Sequence, residues 1–381
     1  MKHNSSSNYV AILLDPRGTI LRDGVDVVQR VKNYGVELNR YNENLKLLVF
    51  SSDTKYQNFE SSSVDIICIS KPTFNSIKFA IHSHRYLEQN NLNFKLLITS
   101  DPWESFWSAY FLNKLGSKKV PIQIQLHGDI ANPTWKKISL QNRIRFNLAK
   151  FSMRKANEIR AVSNSQALKV AKIFKINKAQ ISVIPVPINN LRLTSDISYK
   201  RPKTLGLIGR IHNDRGIYNF IKLIKSLTKV RDDFAVVIAG GGPDESRFLK
   251  EITDLLPTSR IRFLGHLSEK ELKKLWKEVG ILVSTAPAES YGRVMREALV
   301  AGVPVWATKS SGVEDLVSKV GKDALRILDL TKNSRDLSKE LDLLLKSKVP
   351  QSFRKQFIKD NSTYAQQLAK SWVNLINKQK K

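Results

Sequence analysis

Ala286-Pro-Ala-Glu-Ser-Tyr-Gly-Arg-Val-Met-Arg-Glu-Ala-Leu-Val-Ala-Gly-Val-Pro-Val305 runs from a turn through a helix to the start of a second strand. The apolar residues before it, Ile281 to Thr285, have the length of a buried strand. Gly292 to Ala301 reads as a short helix, Gly302 stops it, and Val303 to Ala307 begins the next strand. That makes one βαβ unit. In open α/β sheets ligands gather beyond the carboxyl ends of the strands, where helix N-termini also point. Glu289 is therefore expected at the edge of a pocket, with free backbone N–H groups from Ser290, Tyr291 and Gly292 beside it. Glu297 lies about a turn and a half into the helix. An ionised carboxylate accepts from paired hydroxyls such as those of a ribose, so these two can hold separate hydroxyl-bearing parts of one ligand.

Upstream, Thr204 to Ile208 reads as a strand that runs into Gly209-Arg210-Ile-His-Asn-Asp-Arg215-Gly216 and then a helix to about Val230. Two guanidinium groups and a helix N-terminus at a strand tip can converge on a pyrophosphate. Phe234 to Ala239 is a further strand ending in Gly240-Gly-Gly-Pro243, a run that suits either a ligand's close approach or a plain turn. Arg260 to Leu264, with the tip Gly265-His266-Leu267, is another strand, followed by a helix that Ser268 caps with Glu271 at its fourth place. Beyond the opening stretch, Ser310 to Asp315 starts a helix and Phe353 to Asn377 is helical in pattern.

The first half has the same grammar. Strands at Tyr9 to Leu14, Leu47 to Ser51, Asp65 to Ile69, Phe94 to Thr99 and Val120 to Leu126 alternate with helices such as Val25 to Tyr41, Phe74 to Gln89 and Trp103 to Leu115. Glu158 to Ser163 and Ile181 to Pro185 close this half as strands. Such alternation implies a parallel sheet covered on both faces. Gly18 and Gly24 lie in the loop after the first strand, where the backbone can approach a phosphate or sugar or simply turn. His127 follows a strand end, whereas His82 and His84 on a helix read as surface residues. Pro185 to Pro202 has three prolines and no periodicity, the mark of a linker.

The order strand, Glu289, Ser290-Tyr-Gly292, Glu297-Ala-Leu299, Ala301-Gly302, Pro304-Val305 resembles the nucleotide-sugar site of retaining glycosyltransferases with the GT-B fold, in particular glycosyltransferase family 4. Gly209-Arg210 with Arg215-Gly216, Gly240 to Pro243, Ser100-Asp-Pro102 and Gln125 to Asp129 are also similar to family members. Lysine is usual where Arg215 stands, a change that keeps the charge and alters the hydrogen-bond geometry. The resemblance implies an α/β chain of two Rossmann-like domains facing each other across a cleft. It divides as residues 1–188, a linker 189–202, a nucleotide-sugar domain 203–355, and a terminal helix 356–381 that returns to the first domain.

The resemblance also implies roles. Glu289 would hold the donor sugar and Glu297 the ribose; Arg210 and Arg215 would face the leaving diphosphate; His266 and Leu267 would seat the base. Gly18, Gly24, Gly209, Gly241, Ser290, Tyr291, Gly292 and Val294 would line the donor site, and His127 would lie beside the transferred sugar. His127, Arg210, Arg215 and Glu289 form the implied catalytic set. The implied reaction moves a sugar, with retention, from a nucleoside-diphosphate sugar to a hydroxyl of a glycan or lipid-linked acceptor, the departing phosphate taking the acceptor's proton. Cell-surface polysaccharide or glycolipid synthesis is the expected setting. No Asp-x-Asp pair occurs, which fits a reaction without a bound divalent metal, and no cofactor is expected.

Composition bounds the alternatives. A chain of 381 residues with 41% hydrophobic and 25% charged side chains is long enough for two cores. The start, Met1 to Asn8, lacks the apolar centre of a signal peptide, and no run reaches the ~18 apolar residues of a membrane span, so a cytoplasmic location is expected. The lone Cys68 sits in an apolar strand and reads as core. The net charge of +29 draws anions, whether nucleotide phosphates, lipid head groups or nucleic acid. Residues 135–160 concentrate that charge, with eight Lys and Arg against Glu158. They read either as a basic amphipathic helix touching the inner face of an anionic membrane, or as a domain helix with its apolar side in the core. A sugar epimerase or phosphorylase on the same fold and a non-catalytic scaffold are the competing classes. Nucleic-acid binding has only the charge behind it, since no zinc spacing or RNA-binding strand motif occurs, and none is expected.

Overall fold

The computed structural model describes residues 9–18, 25–43, 45–52, 59–69, 75–188 and 201–379. Gly24 and residues 189–200 of the expected linker lie outside them. The chain forms two compact units, each built on its own sheet. The first takes in Met1–Ala131, Ser139–Asn189 and Ser362–Lys381, the second Asn132–Ile138 and Asn190–Asn361.

Unit 1 contains β1 (Tyr9–Asp15), α1 (Val25–Tyr41), β2 (Leu45–Ser51), β3 (Phe59–Glu60), β4 (Val64–Cys68), α2 (Ser76–Gln89), β5 (Asn93–Thr99), α3 (Glu104–Leu115), β6 (Ile122–Gln125), α4 (Leu140–Lys155), β7 (Glu158–Ala161), α5 (Asn164–Phe174) and β8 (Ile181–Val183). The strand order is β3-β4-β2-β1-β5-β6-β7-β8, parallel except for the β3–β4 pair. Parallel strands are buried on both faces, and β1 up to Leu14 and β2 from Leu47 to Phe50 accordingly read as apolar runs. Cys68 is half-buried at the end of β4 rather than in the core, and His84 is half-buried with Nε2 3.1 Å from Leu115 O.

The expected helix over 135–160 is not continuous. A single 3₁₀ turn covers Trp135–Lys137, and Ser139 then adopts extended backbone and accepts from Asn142 N, so a new helix starts at Leu140. It ends at Lys155, because Ala156 is extended and Asn157 Oδ1 accepts from Ile122 N, drawing the chain into β7.

Unit 2 holds β9 (Thr204–Ile208), α6 (Ile217–Leu227), β10 (Ala235–Ala239), α7 (Glu245–Thr253), β11 (Ile261–Phe263), α8 (Glu269–Leu275), β12 (Ile281–Ser284), α9 (Arg293–Val300), β13 (Val305–Ala307), α10 (Ser311–Val320), β14 (Leu325–Ile327), α11 (Ser334–Lys346) and the start of α12 (Gln351–Lys378). Its parallel order β11-β10-β9-β12-β13-β14 is that of a doubly wound dinucleotide fold, with the topological switch between β9 and β12. Ser268 and Glu271 form the expected capping box at the head of α8.

The terminal helix α12 belongs to both units, up to Asn361 with the second and from Ser362 with the first. In unit 1 its Leu368, Trp372 and Ile376 join Ala11, Leu13, Val49 and Ile98 in one apolar cluster. Trp372 Nε1 donates to Gln123 Oε1 (2.7 Å), while Gln123 Nε2 and Ser371 Oγ both donate to Glu158 Oε1 (2.7 Å each). Trp372→Ala removes the largest of these side chains and strands the Gln123 acceptor, so it is expected to cost about 3–5 kcal/mol, read as a lower urea midpoint.

Candidate functional site

The switch between β9 and β12 brings two loops together in unit 2. β9 ends at Gly209, whose φ of 137° only glycine adopts readily, and the chain continues through Arg210 into a 3₁₀ turn at Asn213–Arg215. His212 caps that turn, its Nδ1 accepting from Asp214 N (3.2 Å). Gly216 (φ 72°) then opens α6 so close to the β12 loop that a Cβ there would lie 1.9 Å from Thr285 O. This backbone contact carries Arg215 to the opposite loop, where its Nη1 meets Glu289 Oε2 at 2.8 Å. Arg210 pairs with Asp214 (2.7 Å).

Glu289 is half-buried, and its second oxygen accepts from Gly292 N (3.1 Å) and Tyr291 N (3.4 Å). The expectation of free N–H groups over Ser290 to Gly292 is thus corrected for two of them. Gly292 heads α9 in left-handed conformation (φ 73°), which turns those donors back onto the glutamate's own carboxylate. One face of the loop is closed by α10: Gly312 N donates to Glu289 O (2.8 Å), and a Cβ on Gly312 would sit 2.9 Å from Tyr291 C. Ser290 and Tyr291 are buried. On α9, Glu297 stands 3.6 Å from Arg293, while Val294 packs with Leu267 against a single apolar cluster.

The tips of β9, β10 and β11 stack beside this. Gly209 N donates to Ala239 O (2.8 Å) and Gly240 N to Gly265 O (2.6 Å). A Cβ on Gly241 would lie 2.8 Å from His266 Nε2, so Gly209, Gly241 and His266 share one rim. The expected residues of unit 2 therefore occupy the carboxyl edge of one sheet, from the β11 tip across to α9.

Gly18 and His127 belong to unit 1. Gly18 (φ 61°) closes the turn after β1 by donating to Asp15 O (3.1 Å). His127 stands exposed beyond β6, next to buried Arg160, which holds the loop by donating to Gln125 Oε1 (3.0 Å), Ile184 O (2.8 Å) and Pro185 O (2.7 Å). Crowding by protein lowers the imidazole pKa, and the charges of Arg160 and Arg30 lower it further, to about 3. Solvent at the ring moderates the desolvation, yet both guanidinium charges act in the same direction, so the ring is neutral at pH 7. Between about pH 3 and the ordinary 6.5 the unfolded chain binds the extra proton, so this group makes stability rise with pH. The His127 Hε1 resonance is accordingly expected to stay flat from about pH 5 to 8, while an ordinary histidine titrates near 6.5.

A second cluster surrounds the end of β5. Arg17 pairs with Asp101 (2.9 Å) and Arg145 with Glu104 (2.8 Å). Burial raises the Asp101 carboxyl to about 6 against the pull of Arg17, and its other oxygen accepts from Trp103 N and Ser105 N.

The sequence did not reveal Arg296. It is buried, pairs with buried Asp315 (2.9 Å) and lies over the Tyr291 ring at 3.7 Å, bracing the loop from below. One signal was present, a charged residue sharing the inward face of α9 with Leu299 and Val300.

Residues 195–363 match the family described as Glycosyl transferases group 1. Over 136 residues the chain is 25% identical to a 2-deoxystreptamine glucosyltransferase of Streptomyces kanamyceticus, covering 36% of this chain and 35% of the relative. Over 216 residues it is 22% identical to the N-acetyl-alpha-D-glucosaminyl L-malate synthase of Bacillus anthracis, covering 55% of each. The matches thus span about a third to a half of these relatives' length. Among solved structures, the sucrose-phosphate synthase of Thermosynechococcus elongatus superposes with a TM-score of 0.68 at 15% identity, covering 97% and 94% of the two chains. Anabaena HepE, solved with UDP and glucose, gives 0.63 at 19%, covering 97% of each. The fold is the GT-B class of two Rossmann-like domains, and the match to the glycosyl transferases group 1 family, residues 195–363, takes in Arg210, Arg215, Glu289 and Glu297.

Proposed function

We propose that the chain is a retaining glycosyltransferase of family 4 that moves a sugar from a nucleoside-diphosphate donor to a hydroxyl of a glycan or lipid-linked acceptor at the inner face of a membrane. The observation that carries this reading is the Arg215–Glu289 contact at the topological switch, a cation and a carboxylate on the two loops where such folds take their ligands. As the bond to the anomeric carbon breaks, negative charge grows on the leaving diphosphate, and Arg215 with Arg210 would stabilise it. Glu289 would exchange its backbone donors for sugar hydroxyls, Glu297 would take the ribose hydroxyls, and neutral His127 would offer the sugar an uncharged hydrogen-bonding group. The departing phosphate would accept the acceptor's proton, so no side-chain base is assigned and turnover is expected to survive EDTA.

The test is product analysis with UDP-, GDP- and ADP-sugars, with and without acceptor. Transfer with the anomeric configuration kept supports the reading; sugar products formed without an acceptor would assign the site to an epimerase or phosphorylase. Glu297→Ala is expected to raise the Kd for the nucleoside diphosphate about 10- to 100-fold by removing charge-assisted hydrogen bonds, measured by calorimetry. An unchanged Kd would end the ribose assignment.

A further inference from the structure

Helix α4 is built inside out. The side that packs into unit 1 buries Ala149, Ser152 and Met153, while four large apolar residues face outward. Leu140, Ile144, Leu148 and Phe151, spaced i, i+4, i+8 and i+11, are 70%, 55%, 40% and 45% exposed. A soluble helix ordinarily turns such a stripe to the core. Of the two readings of this stretch, the one with its apolar side in the core holds for Ala149 and Met153 and fails for these four. Exposed Arg143, Lys150, Arg154 and Lys155 accompany the stripe, and the helix contains no acid. Trp107 of α3 stacks on Phe151 at 5.3 Å between centroids, adding an indole of the kind that settles at lipid–water boundaries.

We propose that this face of α4 docks on an anionic lipid surface, the stripe entering the acyl boundary and the flanking cations meeting the head groups. The chemistry excludes the other occupants. A second copy related by two-fold symmetry would set the same cations against one another with no acid on the helix to relieve them. A nucleic-acid backbone would satisfy the cations and leave the aliphatic stripe in water. A bilayer takes both, and a net charge of +29 favours its approach. Among the described residues no helix is long and apolar enough to cross a membrane, so the contact proposed is peripheral.

The experiment is co-sedimentation of the full chain with phosphatidylcholine vesicles, with and without phosphatidylglycerol. Wild type is expected to bind the anionic vesicles, less so at high salt, and not the neutral ones. Leu140→Glu/Ile144→Glu is expected to lower partitioning at least about tenfold while leaving the melting temperature unchanged, because these are the two most exposed residues of the stripe. Arg143→Gln/Lys150→Gln/Arg154→Gln is expected to remove the preference for phosphatidylglycerol. Absent binding, binding that the glutamate pair leaves intact, or a large drop in melting temperature would overturn the proposal. A concentration-dependent dimer that Ile144→Glu breaks, without vesicle binding, would assign the face to a second copy instead. None of these readouts uses a sugar donor, so the result stands or falls apart from the proposed reaction.

Discussion

Arg215→Ala is expected to lower kcat by about 10²- to 10³-fold while leaving the melting temperature within a degree or so of wild type. The size follows from removing one cation aimed at charge that develops in the transition state. The unchanged stability follows from geometry: Arg215 is half-exposed, and solvent-exposed ion pairs contribute about 0–1 kcal/mol. Arg215→Lys separates charge from shape. A lysine keeps the positive charge and loses the guanidinium fork, so most of the turnover is expected to return if a point charge at the diphosphate suffices. Steady-state kinetics on the two variants, beside thermal melts, decide the matter. Wild-type turnover in Arg215→Ala would remove this arginine from the chemistry and leave its contact with Glu289 a surface ion pair.

Arg296→Met should be the most damaging change in unit 2 that touches no proposed ligand. It leaves the Asp315 carboxylate buried and paired with Lys319 at 3.0 Å, and removal of one member of a buried pair costs about 3–5 kcal/mol. Lys319 is half-exposed and offsets part of that penalty, which favours the lower end. Tyr291 also loses the plane stacked beneath its ring, so the turn that directs two N–H groups at Glu289 loosens. Arg296→Met/Asp315→Leu removes both charges and is expected to recover most of the stability. Two readouts are needed: urea unfolding for the pair, and the Kd for UDP for the loop. If the double variant regains stability yet still binds UDP weakly, Arg296 positions the loop; if both return together, its role is confined to packing.

Much of the architecture was legible because parallel strands buried on both faces leave apolar runs, and most β and α segments alternate. Glu289 and Glu297 could be placed from one stretch, since a strand, a turn and a helix fix how far apart two residues stand along one element. Contacts between elements could not be read this way. The chain does not declare that Glu289 spends an oxygen on its own turn, that Arg210 turns to Asp214, or that Arg296 needs an acid nineteen residues on. Each depends on which loops the sheet order makes neighbours, and on left-handed glycines whose conformation the residue name allows without requiring.

Local periodicity and strand-tip chemistry are thus properties of the sequence alone here: two wound sheets, with carboxylates and guanidinium groups at the edge of the second. Tertiary structure alone decided which way α4 faces. Its alternation of basic and apolar residues fits a buried stripe and an exposed one equally well, because helical spacing fixes the angle between two faces and not the side on which the rest of the unit packs.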